Sequence, residues 1–354
     1  MRMKYPIALA CLLAGNLALA QKVDLDRYSF TVSYRDLPHM PVDTGFRSYD
    51  FQLQTGPLMR VAASQLRTAE TVFIEGWIGQ ESGGDISVSL KMEDLLILKS
   101  DVVTREEVKK DKSGNIVSKK IWYAPLLTYS YGAFLQVKDR NGQQIQSRQL
   151  VSRGQQYTHK GAESASRQQA ANLLLNMFTL TAELSQDVLN QTIRKVSNDL
   201  SYDYGYVEKR VNDGIWILDS RKHPEYDAFR RHWGNIQNAL FRLQPQEPVD
   251  AVRQSLQDDL AYFEKLPLKY SGRDKADRKL RYACYYLLSR VYYWLDDPSS
   301  SVQAATSLTL NDYDTRDGKL LEADAVRLQE LLRLNKRSSR HFPLYFDSMA
   351  ATNQ

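Results

Sequence analysis

The chain has 354 residues, of which 43% are apolar and 25% are charged, so it has room for two folded domains of ordinary size. Its 47 basic and 42 acidic residues are too evenly balanced to predict a nucleic-acid partner. After residue 20 no stretch reaches the about 18–20 apolar residues of a membrane span, so no transmembrane segment is predicted there.

The N-terminus has the pattern of a bacterial export signal. Arg2 and Lys4 precede an apolar run over residues 7–13, and small residues at 18–20 form a cleavage site before Gln21. Residues 1–20 are therefore predicted to be a signal peptide, with a periplasmic or extracellular destination. Cys11 follows a lipobox-like Ala-Leu-Ala, but the apolar run before it is too short, so free secretion is favoured over lipid anchoring.

Cysteine usage agrees with this destination. Once residues 1–20 are removed, Cys284 is the remaining cysteine, so no intrachain disulfide is expected. It stands on an apolar helix face beside Ala283 and Leu287, which favours a buried thiol that acts as a small hydrophobe over a reactive one.

Residues 21–160 are predicted to form an antiparallel β-sandwich. Side chains alternate in character along several short segments, as in Tyr28-Ser29-Phe30-Thr31-Val32, which is typical of strands with one buried face. Gly or Asn lies at two hairpin positions, in residues 112–115 and 140–143. Seven or more strands at this spacing favour a sandwich.

Two features of this half are candidates for recognition. One is a set of aromatic residues that would suit a sugar platform, although packing within the core or across strands is favoured: Trp77, Trp122, Tyr123, Tyr129 and Tyr131. The other is the charged stretch 105–120, for which a solvated ribbon that protects a sheet edge is favoured over a partner site.

Residues 161–205 are predicted to form a long connecting helix that starts with a capping box at Ser166 and Gln169. Leu184 and Val188 share one face at about 100° per residue, whereas Ile193 and Leu200 fall on another. This shift predicts that the helix packs against one body first and another later, as a joint between two domains.

Residues 206–354 show helical periodicity, with apolar stripes such as Phe229, Trp233, Ile236, Leu240 and Leu243. Proline-containing breaks separate successive helices. Helices of this kind cannot bury their stripes singly, so an array of stacked helical hairpins is expected. The fold class is therefore α+β with segregated domains, a β-sandwich followed by helical hairpins.

The pair at residues 281–312 resembles a tetratricopeptide repeat. The first helix carries Leu288, Ser289 and Tyr292, and the second carries Ser301, Ala305 and Leu308. The resemblance covers one degenerate repeat, in which Tyr replaces the family's Trp at position 285 and the closing Pro is missing. It implies a concave surface that holds a protein segment or another subunit, and it implies no catalysis.

Aromatic residues are concentrated on the first helix of this pair. Because not all of them can point at one core, some could line an exposed groove as anchors for a partner, although packing between neighbouring helices with the hydroxyls at the edge is favoured. The candidate partner-binding residues are Tyr282, Tyr285, Tyr286, Tyr292, Tyr293 and Trp294.

Other groups were weighed for chemistry. The loop from Asp312 to Glu322 resembles a calcium loop out of register, and an ordinary helix start is favoured. His223, Glu225, Asp227 and His232 form the densest metal-capable group, but the histidine spacing does not suit a helix site. No catalytic residues, metal or cofactor are predicted. The basic and aromatic tail 333–346 is expected to fold back and cap the last helix. The alternative is a contact with anionic envelope lipid or polysaccharide.

The sequence thus predicts an exported binding or scaffolding protein of the bacterial cell envelope, whose helical domain holds a protein partner. The alternative is a carbohydrate-binding or carbohydrate-active protein that uses the β-sandwich. A hydrolase ranks third, because it would need two facing carboxylates that nothing in the sequence selects.

Overall fold

A computed structural model describes residues 22–66 and 71–344. The predicted signal peptide, Cys11 and the last ten residues lie outside this part. The chain divides into two compact units: residues up to Asp36 together with those from Glu208 onward, and Leu37–Val207 between them. We call the first the helical unit and the second the sheet unit.

The predicted α+β class with segregated sheet and helix is confirmed. Strands occur between residues 25 and 218, and the long C-terminal region from residue 226 to 334 is helical. None of the helices in the described ranges combines the length and apolarity that crossing a bilayer requires.

The strands, in chain order, are β1 (Leu25–Arg35), β2 (Ser48–Thr55), β3 (Ile78–Gln80), β4 (Ile86–Met92), β5 (Leu96–Lys110), β6 (Ile116–Ser130), β7 (Ala133–Asp139), β8 (Gln144–Val151), β9 (Tyr157–Lys160) and β10 (Glu208–Leu218). The helices are α1 (Pro57–Ala63), α2 (Arg167–Leu175), α3 (Met177–Tyr204), α4 (Tyr226–Phe241), α5 (Asp250–Ser255), α6 (Gln257–Lys269), α7 (Lys275–Trp294), α8 (Pro298–Leu310) and α9 (Thr315–Leu334).

The helical unit contains a strand pair that the sequence reading did not expect. β1 pairs antiparallel with β10 along its whole length, from Leu25 opposite Leu218 to Arg35 opposite Glu208. Apolar side chains of both strands, among them Phe30 and Ile215, enter the core formed by α4, α6 and α7. The units therefore divide the chain at 36/37 and 207/208 rather than at the predicted 160 and 205, because β1 finds its burial partner in the C-terminal half.

The predicted helical stripes are buried. Phe229, Trp233, Ile236, Leu240 and Leu243 all lie in the core of the helical unit. Cys284 is fully buried there too, as predicted, and burial raises the pKa of its thiol.

Helices α7, α8 and α9 end in the same way. Each is followed, one residue past its C-cap, by a non-glycine residue with positive φ: Asp296 at 56°, Asp312 at 52° and Lys336 at 51°. An aspartate then caps the next helix twice, Asp297 before α8 and Asp314 before α9. The turns between these helices are therefore tight, and they place each helix against the next.

The sheet unit contains a sheet of order β3-β2-β4-β7-β8 and a second of order β5-β6-β9. β2 runs parallel to both β3 and β4, so the purely antiparallel arrangement predicted for this region is wrong for β2. Tyr131 and Gly132 separate β6 from β7, and the chain changes sheets there.

The predicted connecting helix is interrupted at Asn176 and belongs to the sheet unit. Ser166 caps α2 through the amide of Gln169, as predicted, but the Gln169 side chain bonds to Ser164 instead of closing a capping box. Leu184 and Leu200, on the two predicted faces, are buried in one core, that of the sheet unit. The helix is therefore an internal element of this unit and not a joint between two bodies.

Candidate functional site

The structure separates the six predicted partner-binding residues by burial. Tyr282 and Trp294 are buried, and the other four, Tyr285, Tyr286, Tyr292 and Tyr293, are half-buried. Tyr282 donates a hydrogen bond to Asp317 (2.6 Å), and the Trp294 indole donates to Asp213 (2.6 Å). Most of the aromatic run therefore packs between elements of the helical unit.

Tyr285 differs from the rest because it lines an open pocket of about 630 Å³. Its hydroxyl forms no hydrogen bond with the described residues. The pocket lies where α6 ends, α7 begins and α8 ends. We call it the arginine pocket. The residues that line it are Pro267, Leu268, Ser271, Arg273, Arg278, Arg281, Tyr285, Ser307, Leu310, Asn311 and Asp312.

Arg281 and Asn311 hold the walls together. Arg281 donates from Nε to the Asn311 side chain (2.8 Å) and from Nη1 to the carbonyl oxygens of Tyr270 and Gly272 (2.6 and 2.7 Å). Asn311 in turn donates to the carbonyl oxygen of Arg278 (2.7 Å). These bonds join α7, the end of α8 and the loop before α7, so the lining is preorganised.

The other two arginines of the pocket, Arg278 and Arg273, form fewer hydrogen bonds than Arg281 with the described residues. Arg278 donates from Nη1 to the Asp312 carbonyl oxygen (3.2 Å), and its Nε is buried without a hydrogen-bond partner among the described residues. Arg273 is exposed and makes no ion pair with the described residues. Three guanidinium groups against the single carboxylate of Asp312 make the pocket electropositive.

Exposed apolar side chains border these charges. Leu268 is 75% exposed and Leu310 is 79% exposed, at the ends of α6 and α8. Burial raises the pKa of Tyr285, so its hydroxyl stays protonated at neutral pH and can donate a hydrogen bond. The arrangement suits an anionic group with an apolar neighbour.

Residues of the predicted metal-capable group have other hydrogen-bond partners. Glu225 is buried and accepts hydrogen bonds from Lys269, Tyr262 and Tyr270 (2.5, 3.1 and 3.2 Å). His232 instead lies 2.7 Å from Asp259. In residues 22–66 and 71–344 no cluster of three His, Cys, Asp or Glu side chains has the geometry to hold a metal ion.

The residues of the suggested calcium loop also have other roles. Asp314 caps α9 through the amides of Arg316 and Asp317, and Asp317 accepts the hydrogen bond of Tyr282. They therefore act as helix-start and packing residues.

The aromatic residues proposed for a sugar platform do not share a surface. Tyr129 and Tyr131 are buried in the core of the sheet unit and lie 5.7 and 5.5 Å, centroid to centroid, from Tyr157. Trp77 donates to the Tyr204 carbonyl oxygen, and Trp122 donates to Glu107.

Part of the arginine pocket had a signal in the sequence. Arg278, Arg281 and Tyr285 are three and four residues apart, which places them on one helix face. The prediction for this helix was based on its aromatic residues and not on this spacing. Leu268 and Leu310 come from other helices, so only the fold reveals their proximity.

The sequence matches no family model and no curated protein.

Proposed function

We propose that this chain is an exported binding or scaffolding protein of the bacterial cell envelope, and that its arginine pocket holds an acidic segment of a partner protein. The proposal rests on one observation: three arginines and the exposed side chains of Leu268 and Leu310 line the same preorganised pocket. Export rests on the pattern of residues 1–20. The tetratricopeptide-like pair supports a role in holding protein segments.

The chemistry favours a carboxylate next to an apolar side chain. Guanidinium groups bind carboxylates through paired, charge-assisted hydrogen bonds. Arg273 is available in full, and Arg281 still has its Nη2 amine outside the bonds that hold the walls. Leu268 and Leu310 supply apolar area beside these donors, which would distinguish an acidic peptide from a small free anion.

The test is selection of a random peptide library displayed on phage against the full chain. Selected peptides should be enriched in Asp or Glu beside an apolar residue. Calorimetry with synthetic copies should show affinity reduced about tenfold or more by Arg273→Glu and by Leu310→Asp. Arg316→Glu is the matched control, because Arg316 is an exposed arginine of the same unit outside the pocket.

Arg273 and Leu310 are exposed, so both variants should fold, and circular dichroism checks this. Failure to select any acidic peptide, or equal binding by Arg273→Glu and Arg316→Glu, would refute the proposal.

A second candidate, glycan binding, is favoured by one surface of the sheet unit. A shallow pocket of about 540 Å³ lies on the outer face of the five-stranded sheet. There Lys91 stands opposite Gln54 and Phe134, and Phe134 stands opposite Gln149. Amide groups beside an exposed ring suit sugar hydroxyls and a sugar face. Glycan-array binding by the full chain that Phe134→Ala abolishes would support this candidate, and silence on the array would remove it.

A further inference from the structure

The hairpin of β5 and β6 extends beyond the body of the sheet unit. β9 pairs with β6 only from Leu126 to Tyr129, and Ala124 is the last buried residue of β6 toward the turn. Beyond it, residues 104–121 form a two-stranded ribbon in which all but Glu107 and Ser118 are exposed. We call this ribbon the arm.

The turn of the arm is well formed. The Asp111 carboxylate accepts hydrogen bonds from the amides of Ser113 and Asn115 (both 2.9 Å), and Gly114 has a φ of 87°. These amide bonds lower the pKa of Asp111. The carboxylate is therefore occupied by the turn, and the end of the arm has a defined shape.

Positive charge dominates the arm. It carries six basic residues and three acidic ones. Lys119 pairs with Glu106 (2.9 Å), and Arg105 pairs with Glu163 at the base of the arm (2.6 Å). The other four bases form no ion pair with the described residues: Lys109, Lys110, Lys112 and Lys120.

Aliphatic side chains stand among these lysines in contact with solvent. Ile116 is 62% exposed and Val117 is 69% exposed, directly after the turn. Val108 and Ile121 follow, at 40% each. Lys110 lies opposite Ile116, and Val108 lies opposite Lys119, so charge and apolar surface alternate across the ladder.

We propose that the arm docks on the surface of an anionic lipid bilayer. Addition of a protein strand to an open edge of the ribbon is disfavoured by the unpaired lysines that both strands carry. An anionic membrane needs only basic groups at the headgroup level and apolar side chains that reach the acyl boundary. The unpaired lysines and the pair Ile116 and Val117 supply both at the end of the arm.

Vesicle flotation of the full chain tests the proposal. The protein should float with phosphatidylcholine vesicles that contain phosphatidylglycerol, should stay behind with pure phosphatidylcholine, and should be released by high salt. The triple variant Lys109→Glu, Lys110→Glu, Lys112→Glu should lower the partition more than tenfold, because each lysine adds to the attraction. The double variant Ile116→Ser, Val117→Ser should weaken binding and leave its salt dependence in place.

A matched control reverses three exposed lysines of the helical unit, Lys265→Glu, Lys275→Glu and Lys319→Glu, and gives the same net charge. This control should float like the unmodified protein. Equal partition of the two triple variants, equal flotation with neutral vesicles, or no flotation at all would overturn the proposal. A protein partner captured through the arm, without vesicle binding, would overturn it as well.

A second measurement reports insertion directly. An environment-sensitive dye is attached to Ile116→Cys in a Cys11→Ser background, where Cys284 is buried and inaccessible. Its emission should shift to the blue with anionic vesicles and not with neutral ones. An unchanged spectrum with both would contradict the proposal, whatever the flotation result.

Discussion

The helical unit and the sheet unit close their interiors in different ways. In the helical unit, Asp296 is fully buried and receives hydrogen bonds from Ser339, from Arg340 and from His341 (2.8, 2.6 and 2.9 Å). In the core of the sheet unit, by contrast, the aliphatic residues Leu90 and Leu135 are fully buried. The helical unit therefore buries an ion pair beside its apolar core, whereas Leu90 and Leu135 of the sheet unit are buried among apolar side chains.

The charged centre of the helical unit joins three segments. Asp296 follows α7, Arg340 and His341 lie in the tail after α9, and His341 Nε2 lies 3.1 Å from the carbonyl oxygen of Ser33 in β1. The Arg340 guanidinium also lies over the rings of Tyr34 and Tyr293 (4.7 and 4.8 Å to the ring centroids). The described part of the tail therefore folds back against the end of α7 and against β1, whereas the sequence predicted that it caps the last helix. We therefore expect removal of one buried charge to lower the free energy of unfolding of the helical unit about as much as removal of a large apolar side chain lowers that of the sheet unit.

The largest expected effect comes from Asp296→Asn. It leaves the buried Arg340 without a counter-charge, and it keeps a residue type that tolerates the positive φ at this position. The free energy of unfolding of the helical unit should fall by about 3–5 kcal/mol. The fall is measured by urea denaturation, with hydrogen exchange of the backbone amides in α7 and α9 as the probe.

Asp312→Asn is the matched control. Asp312 also has a positive φ, but its side chain is 84% exposed and lies 3.8 Å from Arg278. A loss below about 1 kcal/mol is expected there. Equal losses at the two positions would show that the buried charge is not what stabilises the helical unit.

Leu90→Ala probes the sheet unit. The substitution opens a cavity between β4 and its neighbours in a fully buried core, and about 2–5 kcal/mol should be lost. Hydrogen exchange should accelerate in β4 and β7, and the loss should be the same at pH 5 and pH 7 because no titratable group is removed. A loss that grows toward acid would mean that the apolar core is coupled to a titrating group.

Acid should weaken the helical unit through Asp296. Burial raises the pKa of this carboxyl, but ion pairing with Arg340 and hydrogen bonds from His341 outweigh burial and hold it well below its ordinary value. Its contribution is therefore complete above the unfolded pKa of about 3.9 and is lost as pH falls toward the folded value. The difference in unfolding free energy between the unmodified protein and Asp296→Asn should stay constant from neutral pH to about pH 5 and shrink below pH 4. A difference that is flat down to pH 2 would contradict this assignment.

The smallest expected effects come from two helix caps. Asp274 accepts hydrogen bonds from the amides of Ala276 and Asp277 (2.9 and 3.0 Å), whereas Ser166 accepts one from Gln169 at 3.5 Å. Asp274→Ala should therefore cost about 1 kcal/mol, and Ser166→Ala a few tenths. Denaturation of both variants side by side tests the ranking, which the reverse order would refute.

Local features of the fold were predictable. The stripe of Phe229 and Trp233, the cap at Ser166 and the hairpin turn at Gly114 each depend on neighbours within a few residues. β10 was not predicted from the sequence, because Asn212, Asp213 and Gly214 interrupt the alternation of its apolar residues. Its strand form is stabilised by the ladder with β1.

In the candidate site, too, the local features were predictable and the contacts between distant elements were not. Tyr285 was selected from sequence for its aromatic ring, and the spacing of Arg278 and Arg281 was visible on the same helix face. The hydrogen bonds of Tyr282 to Asp317 and of Trp294 to Asp213 were not visible, because these two acceptors come from α9 and β10.

By itself, the sequence determined strands and helices where side-chain period, caps and turn residues agree, because these signals act over one or two turns of chain; it did not reveal β10 or the interruption at Asn176. Only the tertiary structure decided which elements share a core. A strand near the N-terminus can bury its apolar face against any suitable partner, and here the partner, β10, begins at Glu208. Pairing across such a distance depends on the total apolar area that is buried and on the few buried ion pairs, such as that of Asp296 with Arg340. Both depend on residues far apart in the sequence, so no local pattern predicts them.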